Sequence, residues 1–278
     1  MSFNFKLESL IKERNSCLCV GLDISPESLG SSNISNLKKH SFDVVDMTRD
    51  LAIAYKPNFA FFERWGAAGF AWLEEIISYI GNEHILIADA KRGDIGNTAK
   101  QYAYSLFTHF DFDAVTLSPY MGKDSITPFI DNPEKGAFIL CRTSNPSAVD
   151  LQNQQINIKS SDQTLNSIDK IPNEMLFDKT AQLCVEWNKN NNVGIVVGAT
   201  APKEISRIRN HAPSLPFLIP GIGAQGGDLT QSMVDGNKNG DALINISRGI
   251  SFSGDLSSKA IRNAAKDYLS QMREIIDI

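Results

Sequence analysis

Between His84 and Thr98 the chain reads HILIADAKRGDIGNT, and three ionisable side chains, Asp89, Lys91 and Asp94, fall within six residues of it. The apolar run Ile85-Leu86-Ile87-Ala88 is β-branched enough to predict a short buried strand. The run stops at Asp89, and Gly93 and Gly96 loosen the backbone before a helix begins. Residues two apart on an extended backbone point to the same side, so Asp89 and Lys91 are expected together at the strand's carboxyl end. Asp94 and Thr98, four apart, are expected to share one face of the following helix. A lysine flanked by carboxylates stays protonated and is held in one place, because each opposite charge favours its charged form. Such an ammonium is a fixed proton donor. An ordinary surface ion pair beside a glycine loop is the bland alternative. Three ionisable groups directly after a buried strand favour chemistry over it.

The elements that must position these groups alternate strand and helix along the chain. Strands are predicted at Cys17–Leu22, Ala54–Asn58, Ile85–Ala88, Ala114–Leu117, Gly136–Cys141, Val193–Val197, Phe217–Ile219 and Ala242–Ile246. Helical spacing covers Phe5–Arg14, Asp43–Ala54, Gly69–Ile80, Ala99–His109 and Ser257–Ile275. Repeating strand-helix units imply parallel strands, and eight of them can close a barrel; an open doubly wound sheet is the alternative and needs no count of eight. Almost every strand ends in a charged, hydroxyl or glycine residue, the end at which barrel enzymes build their sites. The fold class is therefore read as α/β, a (β/α)8 TIM barrel, with residues 1–278 forming a single domain. One segment breaks the rhythm. Residues 145–172, rich in Asn, Gln and Ser, form a long insertion after the fifth strand. It could close over the strand ends as a lid, or be a surface insertion without a role; composition fits both.

The seventh strand ends in Pro220-Gly221-Ile222-Gly223-Ala224-Gln225-Gly226-Gly227-Asp228 and the eighth in Ser247-Arg248-Gly249. Loops at this position of a barrel often bind phosphate through backbone N–H groups. Arg248 adds a charged fork that matches phosphate oxygens. Composition narrows the partners. With 42% hydrophobic and 21% charged residues the chain has enough apolar mass for a substantial core. A net charge of −5 without a basic cluster argues against nucleic acid, while a small anion could still be held by local cations. Cys17, Cys19, Cys141 and Cys184 lack metal-site spacing and are read as buried reduced thiols. The four histidines are scattered. No secretory signal and no membrane-spanning apolar run is seen, so the cytoplasm is the expected location.

Asp89-Ala90-Lys91-Arg92-Gly93-Asp94-Ile95, followed by Thr98, resembles the Asp-x-Lys-x-x-Asp signature of the orotidine 5′-phosphate decarboxylases. The full form DAKRGDIGNTA resembles the longer bacterial type (type 2) of that family. The skeleton alone is shared with sugar-phosphate relatives such as hexulose-phosphate synthase. The match extends over nearly the whole barrel. Asp23, in Val20-Gly21-Leu22-Asp23, resembles the first-strand aspartate that binds ribose, and Lys56, in Tyr55-Lys56-Pro57-Asn58, the second-strand lysine of the charge network. Ser144, in Arg142-Thr143-Ser144-Asn145-Pro146, resembles the serine that reads the pyrimidine amide edge. Gln225 and Arg248 match the phosphate glutamine and arginine, with Ser247 counted among the substrate-binding residues.

The resemblance implies decarboxylation of orotidine 5′-monophosphate to uridine 5′-monophosphate and CO2, the last step of pyrimidine nucleotide synthesis, without metal or organic cofactor. It implies Asp89 beside the substrate carboxylate and Lys91 as the group that stabilises and protonates C6. It also implies a homodimer in which Asp94 and Thr98 reach into the neighbouring subunit's site. Two alternatives stay open at the level of sequence. A metal-dependent aldolase or epimerase of the same barrel type would need further acids at strand ends, where the second strand offers Lys56. A silent nucleotide-phosphate sensor would have little use for a charge-trapped lysine.

Overall fold

Along each strand the residues alternate between two apolar environments, and that alternation builds the molecule. In the computed structural model, which describes residues 1–156, 174–223 and 226–276, the eight strands pair in sequence order into a closed, all-parallel barrel. They are β1 (Leu18–Leu22), β2 (Ala54–Pro57), β3 (Ile85–Arg92), β4 (Ala114–Leu117), β5 (Gly136–Arg142), β6 (Val193–Val197), β7 (Phe217–Pro220) and β8 (Ala242–Ile246), with β8 closing on β1. Parallel strands need crossovers, and helices supply them. In chain order these are α1 (Phe3–Arg14), α2 (Pro26–Leu29), α3 (Ile34–Thr48), α4 (Phe59–Glu63), α5 (Ala67–Ile80), α6 (Gly96–Tyr104), α7 (Lys123–Ile130), α8 (Leu176–Trp187), α9 (Pro202–His211), α10 (Leu229–Gly236), α11 (Arg248–Ser251) and α12 (Ser258–Ile275).

One set of alternating strand residues, including Leu18, Val20, Leu22, Val115, Leu117, Ile244 and Ile246, packs outward against the helices. The other set, including Cys19, Ala54, Ile85, Ile87, Ala114, Phe138, Val196, Leu218 and Leu243, fills the barrel interior. Helix α1 plugs the amino-terminal floor: Phe3, Leu7 and Ile11 join the interior cluster, and Phe3 meets Phe138 edge-on at 5.9 Å. Gly136 and Gly194 make room for this layer, since a Cβ at Gly136 would fall 2.3 Å from the Phe3 ring and one at Gly194 2.6 Å from the Phe138 ring. With its floor sealed largely by apolar side chains, the barrel opens to polar groups and solvent at the opposite, carboxyl end.

The barrel and its strand order match the sequence reading, and several element boundaries differ. The second expected helix, Asp43–Ala54, is α3 at Ile34–Thr48, capped by Asn33 accepting the Ser35 N–H. Its buried stripe runs Leu37, His40, Ser41, Val44, Val45 and Thr48; the polar members hide its first half from an apolar-periodicity reading. The helix expected at Ala99–His109 starts earlier, at Gly96, and its last five residues, Ser105–His109, are a π-helical turn. The short helices α2, α4 and α11 are additional. Of the 145–172 insertion, the stems are described and 157–172 lies outside the described residues, as does the lid reading that rested on it. In the stems, Gln155 bridges Met175 antiparallel, and Ile156 donates to the Glu174 carbonyl at 2.9 Å.

Candidate active site

The interior residues nearest the carboxyl ends of the strands are polar, and together they line a cleft of about 510 Å³. Asp23 follows β1, Lys56 lies one residue before the end of β2 with Asn58 just beyond it, and Asp89 and Lys91 come from β3. Thr116 comes from β4, Ser144 from the loop after β5, and Asn245, Ser247 and Arg248 from β8 and its end. Leu140, Val196 and Leu218 form the apolar floor on which these groups stand.

At the centre, the Asp89 carboxylate lies between two ammonium groups. Lys56 Nζ donates to Oδ2 at 2.5 Å and Lys91 Nζ donates to Oδ1 at 2.5 Å. Lys56 is 3% and Asp89 8% exposed, so the first pair is almost fully removed from water. Burial alone would raise the Asp89 carboxyl; the charges of Lys56 and Lys91 outweigh it and hold the group well below the usual carboxylate range. Burial alone would lower the Lys56 ammonium; Asp89 and then Asp23 outweigh it and hold the group above the ordinary lysine range. Lys91 differs: half of its side chain is exposed, so its ammonium faces the cleft. Cys19 lies beneath this array with its Sγ 3.5 Å from Asn245 Oδ1, its thiol pushed up to about 12 mainly by burial.

Lys91 reaches Asp89 as expected, by a different backbone route. The carboxyl end of β3 bulges, with Ala88 opposite Val115 and Arg92 opposite Leu117, so β3 uses two more residues than β4 over that stretch. Within the bulge Lys91 has φ of +45°, the left-handed region that costs a non-glycine residue about 1–2 kcal/mol. Residues held there cluster at functional sites.

Two further side chains carry buried polar atoms without a partner among the described residues, Asp23 Oδ1 and Ser247 Oγ, and both residues line the cleft. Such groups are costly unless something else satisfies them, and a polar ligand in the cleft is positioned to do so. Gly21 keeps this seam open, as a Cβ there would lie 2.8 Å from Ser247 Cβ. Arg248 is exposed at the rim and opens α11. The loop after β7 turns through Gly221, Gly223 and Gly226, all at positive φ, and closes with the Gly227 N–H donating to the Gly221 carbonyl at 3.0 Å. Gln225 lies outside the described residues. Ser144 is set by tight packing against β6: a Cβ at Gly198 would fall 2.7 Å from Ser144 Cα.

The structure therefore brings Asp23, Lys56, Asp89, Lys91, Ser144, Ser247 and Arg248 into one cleft. It does not bring in Asp94 and Thr98 from the same chain, neither of which lines it. Nor do these two share a helical face: α6 starts at Gly96, and Asp94 lies before it, its Oδ1 accepting the Ile95 N–H at 2.8 Å. Glycines 93 and 96 delay the helix, which the four-residue spacing took to start sooner. Sequence reasoning missed Asn58, Thr116, Gln152 and Asn245, which also line the cleft. Thr116 and Asn245 had a signal, since each is the polar residue at an inward position of an otherwise apolar strand. Gln152 had none; its Oε1 accepts the Thr143 N–H at 2.8 Å across the loop, a contact only the folded chain makes. Among the described residues no group of three or more His, Cys, Asp or Glu side chains comes together as a metal site. No helix among them is long and apolar enough to cross a membrane.

Residues 16–262 match the model of the family described as orotidine 5′-phosphate decarboxylase / HUMPS. The orotidine 5′-phosphate decarboxylase of Natronomonas pharaonis is 42% identical over 259 residues, 92% of this chain and 90% of that protein. That of Dehalococcoides mccartyi strain CBDB1 is 41% identical over 279 residues, 100% of this chain and 98% of that protein. Among solved structures, the OMP decarboxylase of Leishmania donovani superposes with a TM-score of 0.83 at 38% identity, covering 99% of both chains. The UMP synthase of the same organism superposes at 0.84 with 39% identity; this chain spans 56% of it.

Proposed function

The chain belongs to the orotidine 5′-phosphate decarboxylase / HUMPS family and converts orotidine 5′-monophosphate to uridine 5′-monophosphate and CO2 in pyrimidine biosynthesis, and from that premise we propose that Lys91 is the proton donor to C6. The observation that carries this assignment is the Lys56–Asp89–Lys91 array, in which a buried carboxylate holds one buried and one cleft-facing ammonium at 2.5 Å each. When the C6–carboxylate bond breaks, CO2 leaves and the electron pair stays on C6. In this reading the Lys91 ammonium, facing the cleft, stabilises that charge and then transfers a proton to it, being reprotonated from solvent afterwards. Asp89, kept ionised by its neighbours, sets a negative charge beside the departing carboxylate, and the repulsion is relieved as neutral CO2 forms. Lys56 keeps that charge in place.

Asp23 and Ser247, with their unpartnered buried oxygens, are assigned to the ribose and phosphate end, Arg248 and Gln225 to the phosphate, and Ser144 to the pyrimidine amide edge. Binding at the phosphate, remote from C6, supplies energy for orienting the ring. Charge alone accomplishes these steps, so the reaction is proposed to need no metal or organic cofactor. We further propose a homodimer in which Asp94 and Thr98 complete the partner's site. The exposed Ile95, Tyr102 and Tyr104, beside Asp94 and Thr98 in the chain, support it, because exposed large apolar side chains of this kind suit an interface. A cytoplasmic location is part of this reading and agrees with four free, buried cysteines.

The test is the loss of ultraviolet absorbance of orotidine 5′-monophosphate in the presence of chelator, for wild type and Lys91→Ala. Wild type is expected to turn over and the variant to lose at least about a thousand-fold in kcat while still binding uridine 5′-monophosphate. Undiminished turnover by Lys91→Ala would remove the proton-donor assignment. Chelator-sensitive wild-type turnover would remove the metal-free reading.

A further inference from the structure

Thr116 stands on the inward face of β4, 2% exposed, at a position where the neighbouring interior layer is apolar. Its hydroxyl oxygen accepts the backbone N–H of Lys91 at 3.0 Å. The same hydroxyl lies 3.2 Å from Asp89 Oδ1 and 3.5 Å from the Ala88 carbonyl. The carboxylate oxygen is both nearer and charged, so it takes the hydroxyl proton. Asp89 Oδ1 is also the oxygen that accepts the Lys91 ammonium at 2.5 Å. A closed ring results, running from the Lys91 N–H through the Thr116 hydroxyl and the Asp89 carboxylate to the Lys91 ammonium. Both ends of one residue are tied to the same carboxylate.

This ring lies inside the bulge of β3, where Lys91 holds a left-handed backbone at φ of +45°. Such a conformation persists only where its surroundings over-determine it. In a bulge the ladder to the neighbouring strand is interrupted, so ladder bonds do not fix the residue. The Thr116 hydroxyl supplies the missing acceptor from β4. A valine would fill nearly the same space and bring no hydroxyl to be satisfied, so packing alone does not call for threonine here.

We propose that Thr116 is a positioning residue for the decarboxylation, its hydroxyl holding Lys91 in the backbone conformation that aims its ammonium and holding Asp89 Oδ1 in register with it. The proposal rests on the assignment of Lys91 and Asp89 made above. Without the hydroxyl, Lys91 can relax toward extended backbone and its ammonium leaves Asp89, while the ribose and phosphate contacts, made by other strands, remain.

Wild type, Lys91→Ala, Thr116→Val and Thr116→Ser are compared for kcat and KM on orotidine 5′-monophosphate, for inhibition by uridine 5′-monophosphate, and for melting temperature. Thr116→Val is expected to lower kcat about 10- to 100-fold, the usual effect of losing a hydrogen bond to a charged group, with KM and the inhibition constant little changed. Thr116→Ser, which keeps the hydroxyl, is expected to retain most of kcat. Thr116→Ala repeats the deletion without the branched methyl, so the comparison survives a valine variant that does not fold. Wild-type kcat in the valine or alanine variant overturns the proposal, whatever the melting temperature does. A rise in KM and in the inhibition constant at constant kcat overturns it in favour of direct substrate contact. Equal losses in the valine and serine variants overturn it in favour of packing. The underlying reading fails separately, by an inactive wild type or an active Lys91→Ala.

Discussion

Asp89 is the residue on which the site's electrostatics turn. A lone carboxylate as buried as this one would take up a proton; between Lys56 and Lys91 it stays ionised, and only the loss of both ammonium groups would leave its buried charge uncompensated. Arg248 illustrates the opposite regime. It is exposed at the rim of the cleft, where it adds little to stability, and the role proposed for it is to meet the phosphate in the bound state. Arg248→Ala is therefore expected to raise KM for orotidine 5′-monophosphate about 10- to 100-fold, by removing a charged hydrogen bond to the phosphate, with an unchanged melting temperature. Steady-state kinetics and a melting curve on one preparation check it; an unchanged KM would take Arg248 out of the phosphate site.

At the scale of elements, the groups at the end of β8 are held from outside the barrel. His40 on α3 donates from Nε2 to the Ser251 carbonyl of α11 at 2.7 Å and stacks on Phe252, so α3 steadies the short helix that Arg248 opens. Burial lowers the His40 imidazole below its ordinary value of 6.5, and burial likewise lowers His84, which holds the Arg49 carbonyl ahead of β2. Both are favoured as neutral rings in the folded chain. As pH falls below about 6.5 the unfolded chain takes up these protons first, so stability present above that pH is lost until the folded rings protonate as well. Melting temperature is expected to fall between about pH 7 and pH 5, and to fall less in His40→Gln. A slope identical to wild type would show that His40 is not among the responsible groups.

At the scale of the whole molecule, the proposed dimer is what would bring Asp94 and Thr98 to a site. Asp94 and Thr98 follow the β3 motif in the chain without lining the cleft, and Ile95, Tyr102 and Tyr104, near them in sequence, are exposed. If they serve a partner's site, inactive Asp94→Ala and Lys91→Ala chains complement each other. Each heterodimer then carries one complete site, so an equal, fully reassorted mixture is expected to recover about a quarter of wild-type activity. Verified heterodimers with no recovery would place each site within a single chain.

Much of this was legible in the sequence, for a physical reason. Eight apolar runs with polar carboxyl ends specify parallel strands, a closed barrel and the end at which chemistry gathers, because burial and a period of two act locally. Asp89 and Lys91 could be paired from their spacing, and Asp23, Lys56, Ser144, Ser247 and Arg248 could be placed at strand ends. The tertiary structure decided what depends on contacts between distant segments. Lys56 meets Asp89 across 33 positions, and Thr116 meets Lys91 across 25. The bulge that sets the Lys91 backbone is a mismatch of register between two strands, and no single strand contains it. The stripe of α3 escaped notice because His40 and Ser41 are buried by their partners rather than by their own polarity. Local pattern determines which elements form; only their closure into a barrel determines which side chains share a carboxylate.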